Sequence, residues 1–142
     1  MSEAGYASTF TVTLSAMTAL CASKIYEGFS SVNVQKFPFR IGRGTRDDRK
    51  VESSQNDIDL MDGEPFQVSR KHCHIEREGD CFYVRDSGSS LGTIVNGSPI
   101  GVKHTSLSEM LKPGKNHIIL GTVRSPFKFV IEISEELFKI SR

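Results

Sequence analysis

Net charge is the first thing this sequence lacks: 18 basic side chains stand against 17 acidic ones, leaving a formal charge of +1 over 142 residues. Without a field of one sign, nothing draws the whole chain onto nucleic acid or an anionic membrane surface, so any preference for anions has to come from a local site. Cysteine is scarce too. Cys21, Cys73 and Cys81 are an odd number with no C-x-x-C pair, which excludes a disulfide framework and a zinc knuckle and fits a reducing compartment. Cys21 and Cys81 are expected to pack as small apolar residues. Long apolar runs are missing: no stretch approaches the roughly 18 to 20 residues that cross a bilayer. The first 24 residues carry Glu3 and no basic residue ahead of their short apolar runs, unlike a signal peptide. The expectation is a cytoplasmic protein without membrane insertion.

Catalytic signatures are missing as well. There is no G-x-S-x-G elbow, no G-x-x-x-x-G-K phosphate loop and no H-E-x-x-H pair. In His72-Cys73-His74 the two histidines share a strand face. No carboxylate or cysteine reaches them at ligand spacing from another motif, and Cys73 would point to the opposite face. A metal hydrolase is the weakest reading, and the expectation is no catalytic residue, no metal and no cofactor.

What is present reads as a globular all-β chain. Hydrophobic residues make up 37% and charged residues 25%, too apolar for disorder and too interrupted for a spanning protein. A length of 142 residues fits one domain with a real core; that domain is expected over 1–142, with its core at about 9–133. Residues 8–14 alternate Phe10, Val12 and Leu14 against threonines, and 36–41 alternate Phe37, Phe39 and Ile41 against Pro38 and Arg40. Both patterns have the period of two that predicts strands. Further strands are expected at 57–60, 72–76, 81–85, 94–95, 117–120 and 127–133, with turns at Gly79-Asp80, at residues 113–116 and at Asn96-Gly97. Asn-Gly is the strongest short hairpin signal, because both central residues of a type I′ turn need positive φ. Residues 45–56 read as a long polar loop, and 134–140 (S-E-E-L-F-K-I) as a helix capped by Ser134, so that 134–142 forms a helical tail.

Three polar clusters stand at strand ends: Gly42-Arg43, then Ser69-Arg70-Lys71-His72, then 86–93 (D-S-G-S-S-L-G-T) leading to Asn96-Gly97. Guanidinium is a planar fork for two phosphate oxygens, and a serine hydroxyl adds a short directional bond, so Arg43, Ser69 and Arg70 together have the chemistry of an anion site. The alternative is a set of surface cations paired with Asp47, Asp48 or Glu64.

The ordered succession G-R, S-R-x-H and G-T-x-V-N-G resembles the forkhead-associated (FHA) domain, over residues 9–133. The resemblance implies an FHA-like β-sandwich of about eleven strands that binds phosphothreonine peptides with loops at one end. It also implies that Arg43 and Ser69 contact the phosphate, with Arg70 and Ser90 joining them. By the same resemblance Leu91 and Gly92 fall at the peptide contact, and Gly42, His72, Thr93, Asn96 and Gly97 hold the loops. The partner implied is a phosphorylated protein or peptide, a Ser/Thr kinase or its substrate, and not nucleic acid. One departure stands out: where the family has an asparagine that grips the peptide backbone, this chain has Leu91, which offers neither donor nor acceptor. The competing reading is an FHA-like scaffold that assembles without phosphate.

Overall fold

Among the described residues eleven strands form in chain order, and their alternation explains most of them. The structure, a computed structural model, describes residues 5–44 and 55–140. The strands are β1 (Gly5–Ala16), β2 (Ser31–Asn33), β3 (Phe39–Arg43), β4 (Ile58–Leu60), β5 (Cys73–Glu78), β6 (Cys81–Asp86), β7 (Thr93–Val95), β8 (Ser98–Ile100), β9 (Ser108–Met110), β10 (Gly114–Leu120) and β11 (Lys128–Ile140). One sheet runs β2-β1-β11-β10-β7-β8 and the other β4-β3-β5-β6-β9. Alternate residues of each sheet face the other: Val12 and Leu14 from β1, Ile118 and Leu120 from β10, Phe129 and Ile131 from β11 meet Phe39 and Ile41 from β3, Ile75 from β5, and Phe82 and Val84 from β6. Phe10 stands edge-on to Phe82 with ring centroids 5.5 Å apart, and Phe37 lies 5.7 Å from the same ring. Closing two sheets on one apolar layer removes this surface from water at about 25 cal/mol per Å².

Among the described residues one short helix forms, α1 (Ala19–Ser23), with the Thr18 side chain accepting from the Cys21 amide as N-cap. No helix there is long and apolar enough to cross a membrane. The helix expected over 134–140 is not formed. Those residues extend β11 and pair with the start of β1, Thr11 opposite Ser134 and Gly5 opposite Ile140. Seven residues are too few for a helix to hold by itself, whereas the ladder with β1 satisfies their backbone on one side. Residues 141–142 of the expected tail, and 45–54 of the expected polar loop with Asp47 and Asp48, lie outside the described residues.

Three smaller expectations also change. Cys81 is exposed, because even-numbered residues of β6 take the core side, while Cys21 and Cys73 are buried; all three are free thiols. His72 lies before β5 begins at Cys73, so strand alternation does not reach it. The turn at 113–116 is shorter than expected: β10 already starts at Gly114, and Asn116 is fully buried.

Asn116 joins three segments. Its Oδ1 accepts from the Asn96 side chain (2.9 Å) and the Lys112 amide (2.8 Å), and its Nδ2 donates to the Lys112 and Ile131 carbonyls (2.8 and 3.1 Å). Asn116→Ala is expected to cost about 1 to 3 kcal/mol for each buried partner left unpaired, read as a lower denaturant midpoint with an unchanged m-value.

Candidate functional site at the loop end of the sandwich

Four segments of the described residues meet at one end of the sandwich: the end of β3 with Gly44, the 61–72 connection before β5, the 87–92 connection between β6 and β7, and the 121–127 connection before β11. Their positions follow from strand direction. β3 ends at Arg43, β5 runs antiparallel to it from Cys73, and β6 returns to Asp86 opposite Cys73.

His72 ties these connections together. Its ring is fully buried. The Ser69 amide donates to Nδ1 at 3.0 Å, which leaves the proton on Nε2, 2.8 Å from the Gly92 carbonyl. The same carbonyl accepts from the Gly121 amide at 2.9 Å. Burial lowers the His72 pKa below the ordinary histidine range; the Gly92 carbonyl and the charges of Asp86 and Asp62 oppose the shift without cancelling it. The imidazole is therefore a neutral strut, with both nitrogens satisfied in one tautomer.

The 87–92 connection is built on Asp86, whose side is buried with Ser89 and Thr93. Asp86 Oδ1 accepts from the Gly88 and Ser89 amides (2.9 and 2.8 Å), and Oδ2 accepts from the Ser89 and Thr93 hydroxyls (2.5 and 2.8 Å). Ser89 Oγ in turn accepts from the Gly92 amide at 2.9 Å. Gly92 has φ +86°, a backbone conformation that disfavours side chains. This clamp leaves Ser90 and Leu91 outside, both exposed.

Ser69 stands between two of the loops. Its carbonyl accepts from the Arg43 amide at 2.9 Å, and its hydroxyl accepts from the Ser90 amide at 3.0 Å. The two serine hydroxyls are 3.5 Å apart, too far to hold the Ser69 proton firmly. Gly42 is obligatory here, since a Cβ would overlap the Arg70 carbonyl oxygen. That carbonyl accepts from Asn56 Nδ2 at 2.8 Å.

The Arg43 guanidinium lies over the Phe66 ring, its carbon 3.6 Å from the centroid, and its Nη1 is 3.4 Å from the Val68 carbonyl. Phe66 is held because Asp62 accepts from the Gln67 and Val68 amides (2.8 and 2.9 Å). Gln67 Oε1 accepts from the Thr122 amide at 3.0 Å, securing the fourth connection. Arg70 is exposed. Among the described residues no carboxylate pairs with Arg43 or Arg70, Glu64 included. Two guanidinium groups without an ion-pair partner among the described residues, beside two hydroxyls, suit an anion.

Of the residues singled out in the sequence, Gly42, Arg43, Ser69, Arg70, His72, Ser90, Leu91, Gly92 and Thr93 come together at this end. Asn96 and Gly97, with φ +50° and +82°, make the expected tight turn, but at the other end of β7. His74 lies in β5 with its ring bonded to Ser87 and Glu76 at 2.8 and 2.7 Å, and burial pushes the Cys73 thiol up, with Asp86 adding to the shift. Sequence reasoning missed Phe66, Asp62 and Gln67, which no motif marks. It also missed the roles of Asp86 and Ser89, for which the D-x-x-S spacing, one that favours local hydrogen bonding, was the available signal.

The FHA domain family model matches residues 39–112, just over half of the chain. Among solved structures the chain resembles full-length yeast Pml1p at 16% identity and TM-score 0.58, over 91% of this chain and 83% of that one. It resembles the FHA domain of an Arabidopsis thaliana hypothetical protein at 22% identity and TM-score 0.56, over 89% and 86%. It also resembles Mycobacterium tuberculosis EmbR in complex with a low-affinity phosphopeptide, at 22% identity and TM-score 0.56, over 87% of this chain and 24% of that one. These likenesses establish the shared fold. No curated protein matches the chain.

The His72 strut makes the free protein acid-sensitive. A lowered folded pKa means that the unfolded chain binds a proton first, so this contribution is complete above the ordinary histidine value near 6.5 and is lost as pH falls through the folded value. His72→Gln is expected to flatten that part of the stability-versus-pH curve, measured by urea unfolding between about pH 7.5 and pH 4.5.

Proposed function

Given that this chain belongs to the FHA domain family, we propose that it is a non-enzymatic module that binds phosphothreonine peptides produced by a Ser/Thr kinase. Arg43, Ser69, Arg70 and Ser90 take the phosphate. The observation that carries this reading is Ser69, bonded through its carbonyl to the Arg43 amide and through its hydroxyl to the Ser90 amide, with neither Arg43 nor Arg70 in an ion pair among the described residues. A phosphate ester brings about −1.5 to −2 charges and three acceptor oxygens, so it demands several donors from one place. Arg43 supplies a fork already oriented by Phe66, Ser69 a hydroxyl proton held only by a 3.5 Å contact to Ser90, and Arg70 a second cation.

The bound EmbR phosphopeptide supports the ligand class by likeness of fold. The partner is a phosphorylated protein docking through an exposed segment, and the expected setting is kinase signalling in the cytoplasm. Leu91 favours a second reading, a scaffold that assembles without phosphate, because it is 42% exposed where the family carries its peptide-gripping asparagine.

Titration calorimetry with a phosphothreonine peptide library, beside unphosphorylated and phosphoserine controls, separates the two. Arg43→Ala is expected to weaken phosphopeptide binding on the order of ten- to a hundredfold, the worth of one charge-assisted hydrogen bond at about 1.5 to 3 kcal/mol. Binding that ignores the phosphate and Arg43 alike establishes the scaffold instead. Phe66→Leu is expected to cost about two- to fivefold, since an exposed cation–π contact is worth roughly 0.5 to 1 kcal/mol, with Phe66→Tyr close to the unaltered protein in the same titration.

A further inference from the structure

The loop joining β8 to β9, residues 101–107, lies directly against the 87–92 connection, and no motif in the sequence pointed to it. A Cβ on Gly101 would stand 3.3 Å from the Gly92 Cα. The loop is closed on itself by the Gly101 amide donating to the Ser106 carbonyl and the His104 amide to the Gly101 carbonyl, each at 3.0 Å. Its geometry is therefore set by backbone bonds, while its side chains stay outside. Val102 is 64% exposed. The His104 imidazole is exposed and has no hydrogen-bond partner among the described residues, although its Nε2 stands 3.7 Å from where a Gly92 Cβ would be. A small cavity of about 20 Å³ opens between Ser90 to Gly92 and Val102 to His104. Next to it an open cleft of about 740 Å³ continues past Val102, His104 and Pro99 toward Glu109.

We propose that the 101–107 loop is the peptide grip of this chain: a residue flanking the phosphothreonine is apolar and packs on Leu91 and Val102, while His104 Nε2 hydrogen-bonds the peptide backbone beside it. The inference rests on the phosphopeptide reading above. Continuity selects the occupant. Ser90, whose amide is bonded to Ser69 Oγ, precedes Leu91 in the chain, so a peptide anchored by phosphate at Ser69 and Ser90 meets Leu91 and then the 101–107 loop. Leucine cannot hydrogen-bond a peptide, but an unpartnered imidazole one loop away can, and the two exposed apolar side chains gain from being covered. Phosphate gives anchoring, and this surface gives sequence selection.

The test is fluorescence anisotropy on a phosphothreonine peptide library that varies each flanking position, with the unaltered chain, Val102→Ser, His104→Ala, His104→Gln and Arg43→Ala. The expected result is an apolar preference at one flanking position that Val102→Ser flattens. His104→Ala should weaken binding about three- to tenfold, and His104→Gln, which keeps a donor, should recover most of it. Both side chains are exposed, so the melting temperature serves as the control for folding. Phosphate-dependent, Arg43-dependent binding that is indifferent to Val102→Ser and His104→Ala overturns the grip while leaving the phosphate reading intact. An unaltered chain that shows no phosphate dependence overturns both.

Discussion

The neutral imidazole of His72 is the contact on which the loop end of this sandwich depends. Strands can hold themselves through their ladders, but the connections at their ends have backbone groups with no ladder partner, and a buried one costs as much as a lost hydrogen bond. His72 resolves two of these at once, taking the Ser69 amide on one nitrogen and reaching the Gly92 carbonyl with the other. Because Ser69 also bonds Arg43 and Ser90, and Gly92 also bonds Gly121, one ring sets the spacing of four connections. Charging it would put a second proton against the Ser69 N–H, so burial and that hydrogen bond favour the uncharged form against the pull of the Gly92 carbonyl.

Around that strut the site is built by subtraction as much as by placement. Glycine at 42 lets the Arg70 carbonyl come close, and glycine at 92 takes a backbone conformation that lets Ser89 fold back on Asp86. Asp86 uses its charge inward, on two amides and two hydroxyls, while the guanidinium of Arg70 stays exposed. A chain of net charge +1 thus concentrates cations locally without being basic. Rigid strands beneath and short polar connections above are the usual division of labour between scaffold and recognition.

Phe66 and the 101–107 loop show a second layer of organisation. Phe66 is a partly exposed aromatic whose purpose becomes visible only when the Arg43 guanidinium is seen lying on it. Likewise Val102 and His104 are ordinary surface residues until the loop that carries them is found folded against Gly92. Aromatic support and loop contact involve residues 23 and about ten positions apart in the chain, separations at which local sequence pattern is silent.

The sequence by itself determined what local chemistry governs. Alternation marked most of β1, β3, β5, β6, β10 and β11, Asn96-Gly97 required its tight turn, and the ordered clusters at 42–43, 69–72 and 86–93 marked the strand ends that converge. Period-two burial and positive-φ turns are properties of neighbouring residues, so they can be read one segment at a time. Only the tertiary structure decided the fate of 134–140, where pairing with Gly5 to Thr11 across the length of the chain overrode a helix-like composition. It also decided that short β2 and β9 form, since three residues carry no period of their own. Above all it supplied the partners of His72, which the resemblance had placed among the residues that hold the loops, because the Ser69 amide and the Gly92 carbonyl that fix its tautomer meet only once the sheets have closed.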